Sequence, residues 1–198
     1  MTKKTLSTTK FILLYAIVVA VTVALDQLSK ILIFGNLLQG QEGNSVEILG
    51  KFLRFTAVLN EGAAFGLGTE EGANIIFFII TLVGVPFFAY FLWRSRTRSI
   101  CGQLGFAFII GGTIGNAIDR AFIETTQGMF FSGKVRDFIS FNFFPPVFNV
   151  ADSFLVVGVF MAVFAILLFD GDSLVKSIKE ERFQKQQAQS SENNHEEN

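Results

Sequence analysis

At 198 residues, half of them apolar, 25 of them Phe and only 17% charged, the chain has room for one ordinary domain but is too apolar for a small soluble one, so it reads as a membrane protein. The net charge of -1 conceals an uneven distribution. Cys101 is the only cysteine and His195, in a polar tail, the only histidine; this excludes an intramolecular disulfide, a metal centre built on several Cys or His ligands, and a triad that needs a buried imidazole.

Crossing roughly 30 Å of hydrocarbon takes about 20 helical residues. The first window of that kind covers 11–33, uncharged from Phe11 to Leu25 and apolar again as "ILIF" after Lys30. Lys3 and Lys4 ahead of an apolar run also suit a cleaved signal peptide. No small-residue cleavage pattern follows, however, and "DQLSK" interrupts the run with charge, so a retained span is expected. The next loop, about Gly35 to Glu71, contains "KFLRFTAVLN", whose apolar and β-branched content suggests a strand. "NEGAAFGLG" follows, with Gly62, Gly66 and Gly68, and reads either as a plain connector or as a hinged flap over whatever lies at the membrane surface.

Spans two and three are expected at 72–93 and 99–120. "GGTIG" in the third carries Gly111 and Gly115 as GxxxG, a pattern for close helix packing; no Lys follows, as a phosphate loop would require. "KVRDFISFNFFPPVF" then surrounds Asp137 with Phe and Ile, and is expected to lie along the interface before a fourth span at 149–169. Residues 1–170 form the membrane domain, and the polar tail 171–198 is expected to start amphipathic and end disordered. With both termini in the cytoplasm, ten basic residues fall on the inner side and six on the outer, the arrangement the positive-inside rule favours.

The polar residues of the spans gather at one depth. Asp26 lies 15 residues beyond Phe11, Asn116 lies 17 beyond Ser99 and Asp152 lies 17 before Phe169, which puts each about 22 to 26 Å from the inner end of its helix. Such residues normally face a bundle interior or a water-filled pocket. Asp26 with Lys30, Asn116 with Asp119 and Arg120, and Asn149 with Asp152 each share a helix face by spacing. A structural ion pair or a head-group contact accounts equally well for Asp26 with Lys30 and for Asp119 with Arg120. If Asp137 meets Asp152, the two carboxyls cannot both ionise cheaply; one keeps a proton while the other accepts one. That arrangement activates water and protonates a carbonyl or leaving group.

The motifs "DQLSK", "NEGAAFG", "GNAIDR", "VRDFI" and "FNVADS", in this order and each at the end of its span, resemble those of the lipoprotein signal peptidases, the signal peptidase II family of bacterial inner membranes. The resemblance covers the chain up to about Phe169. It implies a membrane all-α fold, a four-transmembrane-helix bundle with a small extracytoplasmic β-element and an interfacial loop. The implied activity is that of an integral membrane aspartic endopeptidase, which removes the signal peptide from diacylglyceryl-modified prolipoproteins, cutting before the lipidated cysteine at the outer face. By motif, Asp137 and Asp152 are the catalytic pair, and Asp26, Lys30, Asn60, Gly62, Asn116, Asp119, Arg120 and Asn149 shape or support the site. No metal or cofactor is implied. The implied partners are the prolipoprotein and membrane lipid, with no nucleic acid, and a monomer is expected. The segment 121–134 is longer than in compact members of the family.

Rival readings fit less well. Ser29 and Lys30 stand about 100° apart on a helix and form no natural Ser-Lys pair, and Cys101 lies near the inner end of its span. A small ion or proton transporter would want acids at mid-bilayer with access from both sides. A non-catalytic adaptor explains the spans but not the shared level of the polar clusters.

Overall fold

The computed structural model describes residues 7–61, 73–95, 99–123 and 133–167. Helix α1 (Thr8–Ser29) continues without a break through a wider, π-type stretch, Lys30–Leu37, whose end is marked by the Leu38 N–H donating to the Ile33 carbonyl at 2.9 Å. The helix therefore runs past the expected limit at residue 33. Helix α2 covers Ala73–Arg94, α3 Ile100–Phe122 and α4 Val150–Ala165. Among the described residues, the helices of Thr8–Leu37, Ile76–Arg94 and Ile100–Phe122 are long and apolar enough to cross a membrane, and Val150–Ala165 is a shorter apolar helix.

Small residues bring α3 against its neighbours. A Cβ on Gly105 would stand 2.7 Å from the Gly158 carbonyl oxygen, and one on Gly158 would stand 2.7 Å from that of Gly105, so α3 and α4 touch backbone to backbone. On the α1 side, a Cβ on Gly111 would meet Thr22 at 2.6 Å and one on Gly115 would meet Asp26 Oδ2 at 2.7 Å. The GxxxG pair is a packing seam, as the sequence suggests. Away from these seams the helices expose large apolar side chains, for example Ile12, Ile17, Ile80, Val83, Val157 and Phe160, as a lipid-facing exterior requires.

Because a Cβ on Gly112 would meet the Ala151 carbonyl oxygen at 2.5 Å and Leu155 Cγ at 2.8 Å, Gly112→Ala is expected to push the first turn of α4 outward. The expected cost is about 1–3 kcal/mol of stability. Turnover should fall further than with Gly105→Ala, which lies about two helical turns deeper in the bundle. Thermal melting and rate measured on both variants check this.

The β-element is larger than the sequence suggests. Strands β1 (Ser45–Leu49), β2 (Leu53–Asn60), β3 (Val135–Phe141) and β4 (Phe144–Phe148) form one antiparallel sheet in the order β1-β2-β3-β4. The expected strand within 51–60 is β2. The segment expected to lie flat as an interfacial loop is instead β3 and β4. Pro145 and Pro146 obscure that pattern, and both sit in β4, an edge strand, where a missing N–H is tolerated. The sheet packs on the extension of α1 through Phe34, Leu38, Ala57 and Phe138, all buried. This cluster explains the apolar residues next to Asp137: Phe138 and Ile139 belong to the sheet's core, and the carboxylate rides beside them.

Candidate active site

Three helices and two strands meet at the site: the C-terminal end of α1 with its extension, the C-terminal end of α3, the N-terminal end of α4, and strands β2 and β3. Asn149 lies at its centre, fully buried. As N-cap of α4 its side chain accepts the Asp152 N–H at 2.9 Å, and the Asp152 carboxylate accepts the Asn149 N–H at 3.1 Å, a reciprocal capping box. The Asn149 amide nitrogen also donates to Asp137 Oδ1 at 2.6 Å and to Asn116 Oδ1 at 3.0 Å. A single residue thus joins both carboxyls.

Each acid is held from a second direction. The Asn60 amide donates to Asp137 Oδ2 at 2.9 Å, a diagonal contact made possible because Asp137 faces Val58 in the β2–β3 register. The Asn116 amide donates to Asp152 Oδ1 at 2.8 Å. Asn116 is oriented for this, since its carbonyl oxygen accepts from Lys30 Nζ at 3.0 Å as well as from Asn149. Asp137 is only 2% exposed, whereas Asp152 is partly open. Burial first, and the neighbouring Asp152 charge second, push the Asp137 carboxyl from the ordinary 3.8 up to about 7, against the Asn60 and Asn149 amides and Lys30, which pull it down.

Asp137 therefore keeps a proton in the folded chain that the unfolded chain releases at lower pH. The folded state binds more protons between 3.8 and about 7, so stability is expected to fall as pH rises through that window and to level off above it. Melting temperature measured against pH should show this slope in the wild type and lose it in Asp137→Asn.

Beneath the pair lies a buried charge cluster. Lys30, with no exposed side-chain surface, reaches Asp26 Oδ2 at 2.8 Å and Asp119 Oδ2 at 3.4 Å. Asp26 Oδ1 accepts the Ala151 N–H at 2.9 Å, so an acid from α1 satisfies one of the open donors at the α4 N-terminus. Of the two expected pairs, Asp26 with Lys30 forms. For Asp119 the partner is a different arginine: Arg136 grips it with Nη2 to Oδ1 at 2.7 Å, Nε to Oδ2 at 3.1 Å and the backbone N–H to Oδ2 at 2.9 Å. The planar guanidinium fork thus meets both carboxylate oxygens. Arg120 instead sets its guanidinium over the Phe77 ring at 3.7 Å, within the fields of Asp137, Asp152 and Asp119.

Asp26, Lys30, Asn60, Asn116, Asp119, Arg120, Asn149, Asp137 and Asp152 thus come together, while Gly62 and the flap through Gly68 lie outside the described residues. Two members were not anticipated. Gln27 donates to Asp26, to the Gly115 carbonyl and to Asp119, and accepts from Arg136 at 3.0 Å. Helix spacing conceals it, because it stands one position from Asp26. Arg136 read as an outer-loop cation; a β3 assignment would have sent it and Asp137 to opposite sides of one strand.

Comparison with known proteins places the chain in a family. The family described as signal peptidase (SPase) II matches residues 18–168. A lipoprotein signal peptidase of Enterococcus faecalis is 36% identical over 162 residues, covering 82% of this chain and 92% of that protein. One from Clostridioides difficile is 35% identical over 162 residues, 81% of this chain and 99% of that protein. A bacterial membrane enzyme solved by the in meso method at 1.9 Å superposes with a TM-score of 0.66 at 30% identity, covering 85% of this chain and 98% of that one. With matches of this extent in both sequence and fold, the chain belongs to the signal peptidase II family of membrane proteases.

Proposed function

We propose that Asp137 and Asp152 are the catalytic pair with which this chain cleaves diacylglyceryl-modified prolipoproteins before the lipidated cysteine. The observation that carries the reading is Asn149, which donates its amide to Asp137 and exchanges two hydrogen bonds with Asp152, so that both carboxyls are held side by side from one residue. The pair shares one proton near neutral pH, with burial and the neighbouring Asp152 charge raising Asp137 to about 7. The protonated member donates its O–H to the scissile carbonyl, and the ionised member takes a proton from the attacking water. The tetrahedral intermediate collapses when the amine leaves with a proton from the pair. Asn60, Asn116 and Asn149 aim the acids, while Asp26, Lys30 and Asp119 hold the helix ends that carry them. Arg120 holds local geometry or contacts the substrate backbone or lipid, and Gly62 supports the site by its place in the family's motif.

Four membrane spans, 11–33, 72–93, 99–120 and 149–169, make up a peptidase domain of residues 1–170, and 171–198 is a cytoplasmic tail. Both termini lie in the cytoplasm of a bacterial inner membrane, the site faces outward, and the protein works as a monomer in contact with lipid. The basic residues at the inner ends of the spans support this orientation.

Purified protein in detergent is expected to cleave a lipid-modified prolipoprotein before its cysteine, with or without chelator, and to leave the unlipidated precursor intact. Proton flux across reconstituted vesicles without cleavage would favour a transporter and end this reading.

A further inference from the structure

Among the described residues, the charges gathered around the acids balance only when Arg136 is counted. With one proton shared by Asp137 and Asp152, that pair, Asp26 and Asp119 supply three negative charges, and Lys30, Arg120 and Arg136 supply three positive ones. Asp26, Lys30 and Asp119 have no side-chain exposure and Arg136 only 14%, so water does little to screen them. Among the described residues, the charged groups facing this cluster are Asp26 and Lys30 from the α1 helix and its extension, Asp119 and Arg120 from α3, Asp152 from α4, and Arg136 and Asp137 from β3. At its rim, Lys134 pairs with Glu61 at 2.9 Å, which cancels locally.

We propose that Arg136 is a positioning residue of the catalytic pair: its fork on Asp119 lets Lys30 stay on Asp26 and Asn116, and its charge keeps the buried cluster neutral beneath the two carboxyls. The inference rests on the reading that Asp137 and Asp152 are the catalytic pair. Lys30 is shared among three acceptors, Asp26 at 2.8 Å, Asn116 at 3.0 Å and Asp119 at 3.4 Å. Asp119 is the most distant because Arg136 already occupies both its oxygens. Without Arg136, an uncompensated Asp119 draws Lys30 toward itself and away from Asn116, whose amide aims Asp152. Gln27 cannot replace the lost charge, since its amide reaches Asp119 only at 3.3 Å and is neutral. The same arginine anchors β3 to the end of α3, while the next residue along the strand presents Asp137 on the other side.

The test is the pH profile of kcat/KM for cleavage of a diacylglyceryl-modified prolipoprotein by the full chain in detergent. Arg136→Gln leaves one extra negative charge and is expected to move the profile to higher pH by about one unit, with kcat lowered and KM unchanged. Arg136→Lys keeps the charge but loses the fork; its profile stays in place while kcat falls. Asp119→Asn alone leaves the opposite excess and moves the profile down. Asp119→Asn combined with Arg136→Gln restores neutrality and brings the profile back. The two single changes to Gln and Asn act in opposite directions, a pattern that loss of folded protein cannot produce. A profile unmoved by Arg136→Gln, or one moved the same way by both single changes, overturns the proposal; if Arg136→Gln does not fold, the position of Asp119→Asn and of the double variant decides. Failure of the catalytic pair itself would appear separately, as full turnover by Asp137→Asn.

Discussion

Asp137→Asn and Asp152→Asn are each expected to retain binding of the lipidated precursor while slowing turnover by about 10²–10⁴-fold, the usual contribution of a positioned acid or base. Asn is nearly isosteric with Asp and can neither take a proton from water nor give one to a leaving amine. In cells both variants should accumulate uncleaved, diacylglycerylated precursor. The two changes need not act alike on the fold. Asp137 accepts two amide donors, so an Asn there turns one NH₂ group toward another unless Asn60 rotates its amide. Asp152 closes the capping box, and an Asn there keeps an oxygen for the Asn149 N–H but loses the negative charge at the helix N-terminus. Melting temperature measured beside rate separates the chemical loss from these smaller structural ones. Normal processing by either folded variant would remove that residue from the pair.

Lys30→Met is expected to give the largest loss of stability. The change takes the only cation within reach of Asp26 among the described ion pairs and leaves Asp119 to Arg136 alone, where none of the three side chains at Asp26, Lys30 and Asp119 touches solvent. Breaking a buried pair by removing one partner typically costs about 3–5 kcal/mol, because the remaining charge stays buried and unmatched. Lys30→Met combined with Asp26→Asn should recover part of the loss, since it removes the stranded charge as well, although the Ala151 N–H then meets a neutral acceptor. Chemical or thermal unfolding in detergent on both variants tests this. A Lys30→Met protein as stable as the wild type would mean that the buried cluster does not hold α1 to α3 and α4.

The helices were legible because their cause is local. An apolar run of about 20 residues must satisfy its own backbone hydrogen bonds in lipid, so a helix is the answer wherever such a run occurs. Their polar residues were legible by the same logic: an Asp or Asn in a span has to face something other than lipid, and equal distances from the inner ends put Asp26, Asn116 and Asp152 at one level. The β2 strand showed through its own composition. Strands β1, β3 and β4 did not, because a strand's hydrogen bonds are made with residues far along the chain. In β3, Asp137 pairs with Val58 of a strand that lies on the other side of two helices in the chain order, and Pro145 and Pro146 argue against a strand until its place at the sheet edge is known.

Residue types and spacing indicated a membrane-embedded protein whose span acids lie near one end of the helices, and the resemblance to the family's motifs implied which two acids form the pair. Only the tertiary structure decided which partner each acid takes. Asp119 belongs to Arg136 and not to its chain neighbour, Asn149 serves both Asp137 and Asp152, and Asp26 satisfies the end of a helix 125 residues away. The reason is physical: helix periodicity ranks only neighbours within a turn, whereas a buried charge settles on whichever opposite charge or open N–H the packing of separate elements brings within about 3 Å.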